Sequence, residues 1–385
     1  MKKPEPLVTN RRSFLQSGLV ILAGVGGVAA CTSSGSASEG RTSSQPPIPD
    51  PQEAENYLLY PDLVYTESEP VGRAHLLDVY VPRDAAGPFP VLIHQMGSAF
   101  RADDSKGNPL RDLRHQIDST PDTESDSRSD VDPDEASLLY GAKQLANLWA
   151  PKGYAVVGLN VRNSSQSKFP GQIHDAKAAI RYLRANAKTL GLDPNRFAMM
   201  GASSGGWVSL MVALTAGDPE FEGNLGNQNE SSSIRSVIAL SSPSDFLQMD
   251  AHRPPGGHLH EVPDSPESEL MGFSIQTDPA AVEKANPARY VRSDSPPAFI
   301  AHGIGDLFVP YNQAELLFDA YVKARATANM TLIPNAGHTD SYLADPNYST
   351  DCTLLYTRGG YTTTETGHAP TFDDLLSFLD KHLRY

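Results

Sequence analysis

One stretch, residues 196–214, limits what this chain can fold into more than any other. It reads RFAMMGASSGGWVSLMVAL: an apolar run, then Gly-Ala-Ser-Ser-Gly-Gly, then residues that favour a helix. A Gly-x-Ser-x-Gly pattern between a strand and a helix is typical of the nucleophile elbow, which holds a serine on a sharp turn. Glycines flank that serine because the strained turn leaves no room for neighbouring side chains. The pattern predicts a strand, a tight turn bearing Ser203, and a helix.

Strands and helices alternate on both sides of this elbow. Continuous or alternating apolar runs predict the strands, and apolar residues at helical spacing predict the helices. Predicted strands cover residues 76–81, 90–94, 154–161, 236–240, 298–301 and 329–333, and predicted helices cover residues 173–190, 313–323 and 372–383. Such alternation predicts an α/β fold with a mostly parallel central sheet flanked by helices on both faces.

The first 52 residues have the composition of a targeting segment followed by a tether. Residues 1–31 contain Arg-Arg-Ser-Phe-Leu, similar to a twin-arginine export signal, and end in Val-Ala-Ala-Cys, similar to a bacterial lipoprotein processing site. We expect Cys31 to become a lipidated N-terminus that anchors the protein at the cell envelope, outside the cytoplasm. An ordinary signal peptide or an uncleaved anchor is the alternative. Residues 32–52 are rich in Ser, Gly and Pro and predict a flexible linker, so residues 53–385 form the expected domain.

Charge and cysteine content exclude other classes of protein. The formal net charge is −15, which argues against nucleic acid as a partner because phosphate binding needs clustered Lys and Arg. The chain has 2 cysteines, too few for a disulfide framework, and no Cys/His spacing resembles a zinc site.

Three insertions interrupt the alternation, near residues 103–135, 246–289 and 341–370. The first is acidic, and we expect a solvated loop because the glycine and terminal Glu of a calcium loop are missing. The second is too long for a simple connection, and its apolar residues either line a pocket or pack the insertion down. They are Phe246, Leu247, Met249, Leu270, Met271 and Phe273. The third has turn-like composition and no clear element.

An elbow serine needs a base and a residue that orients the base. Asp306 and His338 each follow a predicted strand, at the sheet edge where sites form in parallel sheets, and in the order Ser, Asp, His. We predict that Ser203 is the nucleophile, His338 the base and Asp306 its orienting acid. The N–H of Ser204, at the start of the helix, would stabilise an oxyanion.

Other residues compete for these roles. Ser204 is an alternative nucleophile, Asp245 an alternative acid and His368 an alternative base. His252, His258 and His260 lie close together in the sequence, but the prolines and glycines between them favour a loop over a metal site. We predict no metal and no organic cofactor.

Taken together, these stretches resemble an α/β-hydrolase of the carbohydrate-esterase type, the group that includes acetyl-xylan and feruloyl esterases. The resemblance covers residues 60–383. Beside the elbow it rests on residues 191–196, 242–246, 263–268 and the loops of Asp306 and His338. It implies the triad Ser203, Asp306 and His338, an acyl-enzyme reaction, and a small-molecule or polysaccharide ester as substrate. It also implies acetyl or feruloyl groups on carbohydrate, which the residues alone do not specify.

The chain departs from this family in the loop that supplies oxyanion donors. Where the family has His-Gly-Gly-Ala/Gly-aromatic, this chain has Met-Gly-Ser-Ala-Phe at residues 96–100. Backbone N–H groups are the donors, so Gly97 or Ser98 would act beside Ser204. Two alternatives stay open: a serine peptidase on the same fold, and a non-catalytic binding protein with a degraded oxyanion hole. The acidic insertion after this loop would disfavour polyanionic substrates such as pectin.

Overall fold

The chain winds strands and helices around one central sheet. The computed structural model describes residues 46–67, 72–106, 136–348 and 350–384. The strands are β1 Gln52–Glu53, β2 Tyr57–Val64, β3 Leu76–Pro82, β4 Phe89–Gln95, β5 Ala136–Ser137, β6 Ala155–Leu159, β7 Leu192–Ala202, β8 Ser236–Leu240, β9 Ala298–Gly303, β10 Ala328–Ile333, β11 His338–Thr339, β12 Cys352–Arg358 and β13 Tyr361–Gly367. The helices are α1 Ala142–Trp149, α2 Gly171–Ala185, α3 Ala187–Leu190, α4 Ser204–Leu214, α5 Pro219–Glu222, α6 Pro266–Met271, α7 Pro279–Val282, α8 Asn312–Ala324 and α9 Phe372–Leu383.

The main sheet has 11 strands in the order β1-β2-β3-β6-β4-β7-β8-β9-β10-β12-β13. From β6 to β10 all neighbours are parallel, and antiparallel strands extend both edges. β6, β8 and β9 are buried along their whole length, as expected for parallel strands covered on both faces. β5 and β11 form a separate parallel pair. The prediction of a mostly parallel α/β sheet is confirmed.

Each face of the sheet has its own apolar core. Val91 and Ile93 of β4 belong to one cluster and Leu92, between them, belongs to the other, because successive side chains of a strand point to opposite faces. α2, α4 and α8 pack in the first cluster, while α1 and α9 pack in the second. Helices therefore cover both faces, and the carboxyl ends of the parallel strands are left at one edge.

Most predicted elements are present, with small shifts at their ends. β8 and α9 have the predicted bounds. The predicted helix 173–190 is divided at Asn186 into α2 and α3, and it ends at Gly191, whose φ of 68° is left-handed. A glycine at this position stops a helix without steric cost.

The prediction for the third insertion is wrong. It contains β12 and β13, an antiparallel hairpin whose turn, Gly359-Gly360, has φ of 62° and 87°. Two glycines between extended segments are a signal for such a turn. β13 is exposed at every residue except its half-buried last one, so its Thr-rich sequence lacks the alternation that identifies a half-buried strand.

Several predictions fall outside the described residues. The export signal, Cys31 and most of the linker lie there, as does the first insertion from residue 107 to residue 135, and these stay predictions. Residues 46–385 group as one unit by their contacts. Within the described part of the chain, no helix has the length and apolar character needed to cross a bilayer.

Buried His94 should make stability depend on pH. His94 lies in the middle of the sheet on β4 and is 3% exposed, and burial lowers its pKa to about 4. An unfolded histidine has a pKa near 6.5, so the fold favours neutral His94 and loses about 3 kcal/mol of stability as the pH falls from about 6.5 to 4. We expect His94→Gln, which cannot titrate, to reduce the loss of unfolding free energy between pH 7.5 and 4.5, measured by urea denaturation. Identical losses in both proteins would contradict this.

Candidate active site

Ser203 lies on the sharp turn between β7 and α4. Its φ of 54° and ψ of −131° are sparsely populated for a residue with a side chain. A Cβ at Gly201 would lie 2.3 Å from the backbone of Gly205, so the first glycine of the motif is required by close approach. The Ser203 N–H donates to the Leu240 carbonyl at 2.8 Å and ties the turn to β8. This is the backbone geometry of a nucleophile elbow.

Asp306 and His338 meet at the carboxyl ends of the neighbouring strands β9 and β10. His338 Nδ1 lies 2.7 Å from Asp306 Oδ2, and the two side chains are almost fully buried. The other oxygen, Oδ1, accepts the N–H groups of Phe308 and Val309 at 2.8 Å each. Burial by itself raises the pKa of Asp306, but His338 and His302 favour the carboxylate and hold that pKa well below its ordinary value. An ionised Asp306 fixes the orientation of His338.

The loop after β4 lies directly against the elbow. A Cβ at Gly97 would be 2.7 Å from Ser203 Cβ and 2.6 Å from the Ala202 carbonyl, so only glycine allows this approach. The Ser98 N–H donates to Ser204 Oγ at 2.9 Å, and the Phe100 N–H points at the same oxygen at 3.4 Å.

These contacts determine which of the predicted N–H donors can bind an oxyanion. Because the Ser98 N–H is already bound to Ser204 Oγ, it fixes the loop and is not free to bind an oxyanion. Gly97 is the loop's remaining candidate. It is joined by the N–H of Ser204, since the first N–H groups of a helix have no partner within the helix. Sequence reasoning did not foresee that the Ser204 side chain holds this loop.

The competing residues take part in other interactions. The Asp245 carboxylate accepts the Leu247 N–H at 3.1 Å and Gln248 Nε2 at 2.7 Å, capping a short 3₁₀ turn. The His368 side chain is 59% exposed. Ser204 is buried, and its hydroxyl oxygen accepts the N–H of Ser98 from the loop after β4. In the described ranges, no three His, Cys, Asp or Glu side chains are grouped to hold a metal ion.

The second insertion reaches the site through residues 258–260. The His258 N–H donates to the Leu307 carbonyl at 2.8 Å. The imidazole of His258 stacks on Phe308 with 4.2 Å between ring centroids, and Phe308 lies 5.4 Å from the His338 ring. Burial lowers the pKa of His258, and interaction with His260 and His338 lowers it further. This stack supports the loop that carries Asp306, a role that sequence reasoning missed.

A buried contact between His260 and Glu267 anchors the same segment. His260 Nδ1 lies 3.0 Å from Glu267 Oε2, and both residues are 4% exposed. Burial opposes protonation of His260, but Glu267 and Asp250 outweigh it and raise the pKa of the imidazole. The insertion's apolar residues pack into the core beside it, which favours the packing alternative over the pocket alternative. They are Phe246, Met249 and Leu270, fully buried, Met271, 9% exposed, and Leu247 and Phe273, partly buried.

The fold defines the class of the protein: the chain has the α/β-hydrolase fold, with Ser203, Asp306 and His338 on the segments that follow β7, β9 and β10. A BD-FAE family model matches residues 135–321. The Mycobacterium tuberculosis protein named "Probable carboxylic ester hydrolase LipM" is 27% identical over 67% of this chain and 50% of its own length. "Esterase LipC" of the same organism is 27% identical over 52% of this chain and 48% of its own length.

A solved structure described as a truncated form of a carbohydrate esterase from gut microbiota is 26% identical with a TM-score of 0.58, over 75% of this chain and 92% of its own. The chain spans about half the length of the curated relatives it matches. The chain therefore has the α/β-hydrolase fold and resembles the carbohydrate esterases, as the sequence predicted.

Proposed function

We propose that this protein hydrolyses carboxylic esters through an acyl-enzyme formed on Ser203. The observation that carries the proposal is the 2.7 Å contact between His338 Nδ1 and Asp306 Oδ2, at the same edge of the parallel sheet as the elbow that bears Ser203. With Nδ1 held by the carboxylate, Nε2 is the nitrogen that can act as a base. The esterase names of LipM and LipC support the same reaction class.

The proposed reaction has two halves. The Ser203 hydroxyl attacks the ester carbonyl while His338 Nε2 takes its proton, and the N–H groups of Ser204 and Gly97 stabilise the oxyanion. The tetrahedral intermediate then breaks its bond to the alcohol, which leaves with the proton from His338. Water attacks the acyl-enzyme while His338 takes its proton; the second tetrahedral intermediate then breaks its bond to Ser203 Oγ, which recovers the proton from His338, and the carboxylic acid leaves. No metal or cofactor takes part in these steps.

We further propose that the acyl groups are acetyl or feruloyl groups on carbohydrate. Support comes from the family model that matches residues 135–321 and from the structural neighbour described as a carbohydrate esterase. Acetyl and feruloyl esters are therefore compared directly in one experiment.

The test measures hydrolysis by the full-length chain in detergent. p-Nitrophenyl acetate, acetylated xylo-oligosaccharides, methyl ferulate and a peptide p-nitroanilide are compared at equal concentration, beside labelling with a fluorophosphonate. We expect turnover of the esters, covalent labelling, and little or no release of nitroaniline. Equal turnover of the anilide would favour a peptidase. A folded protein that neither turns over nor labels would favour the binding-protein alternative.

A further inference from the structure

Residues 136–140, outside the predicted triad, contact two separate parts of the site. β5 pairs in parallel with β11, which places Ala136 opposite His338 and Ser137 opposite Thr339. Leu138 is fully buried, and its Cδ1 lies 3.0 Å from the position that a Cβ on Gly97 would occupy. Residues 136–138 therefore contact both β11, which contains His338, and the loop after β4, which contains Gly97.

A buried carboxylate fastens this segment. Asp340 follows β11 directly and is 2% exposed. Its Oδ1 accepts the Leu139 N–H at 2.7 Å, and its Oδ2 lies 3.3 Å from the Tyr140 nitrogen, whose N–H it also accepts. About 200 residues of chain separate the partners, so this contact is a tertiary clasp and not a local turn. A buried charge is costly unless it has such partners, and the proposed reaction does not consume it.

We propose that Asp340 is a positioning residue for the reaction. By holding the backbone of Leu139 and Tyr140, the carboxylate fixes the position of His338 relative to Gly97. Its negative charge also adds to that of Asp306 in stabilising the imidazolium that forms when His338 takes a proton. The inference rests on the proposed function, because it assigns Asp340 a part in the same site.

The charge of Asp340 responds to pH in the range where the reaction is measured. Burial raises the pKa of Asp340 to about 6, against the lowering effect of the Leu139 and Tyr140 N–H groups and of His338. Two tyrosine side chains, Tyr140 and Tyr342, also interact with it electrostatically.

Acidification through about pH 6 therefore neutralises Asp340. If activity falls when either Asp340 or the base is protonated, log(kcat/KM) drops with a slope steeper than 1 over the pH range in which Asp340 titrates. A single required group gives a slope of 1.

The experiment compares Asp340→Asn with Asp345→Asn in full-length protein. Asparagine at position 340 keeps an acceptor for the Leu139 N–H but carries no charge. Asp345 is the matched control because it also interacts electrostatically with Tyr140 but is only half-buried and lies outside the clasp. Rates of p-nitrophenyl acetate hydrolysis are measured from pH 4.5 to 9, with thermal unfolding at pH 8.

We expect D340N to lower kcat at pH 8 about tenfold, the size of one weakened charge interaction in a partly screened site, with an acid limb of slope 1. We expect D345N to keep the wild-type rate and an acid limb with a slope steeper than 1. Because the fold raises the pKa of Asp340, the charge that Asp340 carries at pH 8 costs free energy of folding. D340N should accordingly unfold at a temperature no lower than wild type, which a merely structural role would not predict.

Wild-type rate and slope in D340N would overturn the inference. A wild-type acid limb of slope 1 would overturn it too, even if D340N failed to fold. Absence of hydrolysis by the wild-type protein would instead refute the proposed function, so the two failures are distinguishable.

Discussion

Replacing Ser203 with alanine is expected to lower kcat for ester hydrolysis by about 10⁴–10⁶-fold, the range seen when an elbow or triad nucleophile is deleted. The reason is geometric: the strained turn presents this hydroxyl alone, and the remaining oxyanion donors supply only residual catalysis. The measurement is initial-rate hydrolysis of p-nitrophenyl acetate, with mass spectrometry to locate the fluorophosphonate adduct. The adduct should map to Ser203 and disappear in the variant.

Ser204→Ala is the matched control for this experiment. It removes the oxygen that accepts the Ser98 N–H at 2.9 Å but keeps the nucleophile. We therefore expect it to label normally and to lose less than the cost of deleting an oxyanion donor, which is about 10²–10³-fold. An adduct on Ser204, or a greater loss of activity in Ser204→Ala than in Ser203→Ala, would reverse the assignment of nucleophile.

Replacing Asp306 with asparagine is expected to lower kcat by about 10⁴-fold, because the neutral amide neither fixes the required imidazole tautomer nor stabilises the imidazolium. The same variant should lose stability. A carboxylate whose folded pKa is depressed stabilises the fold above its unfolded pKa, near 3.9, and this contribution fades as the pH falls below that value. Asp306 has a lowered pKa, so D306N should unfold more easily at pH 7, with a smaller difference in acid.

Asp245→Asn is the control for the acid, since its carboxylate caps a short 3₁₀ turn through Leu247. His338→Ala and His368→Ala form the same kind of pair for the base. Stopped assays at pH 7.5 and urea unfolding at pH 7 and pH 3.5 measure both effects. The assignment fails if D245N or His368→Ala is as inactive as its counterpart in the proposed triad.

The elbow and the opposition of Asp306 to His338 were predictable because local rules govern them. Gly201 and Gly205 belong to one short motif, so the sequence of that motif already indicates that a side chain at position 201 would approach the backbone of Gly205 too closely. Loops that follow neighbouring parallel strands must share one edge of the sheet. The bounds of β8 and α9 were predictable for a related reason. β8 is a short, fully buried apolar run, and α9 is an amphipathic helix that begins after the capping residue Thr371.

What sequence reasoning missed depends on residues that meet only in the folded chain. The Ser98–Ser204 bond spans 106 positions, and the contact of Asp340 with Leu139 spans 201. No periodicity encodes such pairs. The stack of His258 on Phe308 joins the second insertion to the loop after β9. Neither residue belongs to a local sequence pattern that would indicate this contact. β13 escaped prediction because solvent covers both of its faces.

The backbone of Ser203 has a consequence for anyone who engineers this domain for heat resistance. A residue with a side chain at φ 54° and ψ −131° carries about 1–3 kcal/mol of strain that glycine would not feel. Ser203→Gly removes the hydroxyl and relieves the strain in the turn. A screen that selects only for thermal stability would therefore enrich inactive variants unless turnover is measured in the same step.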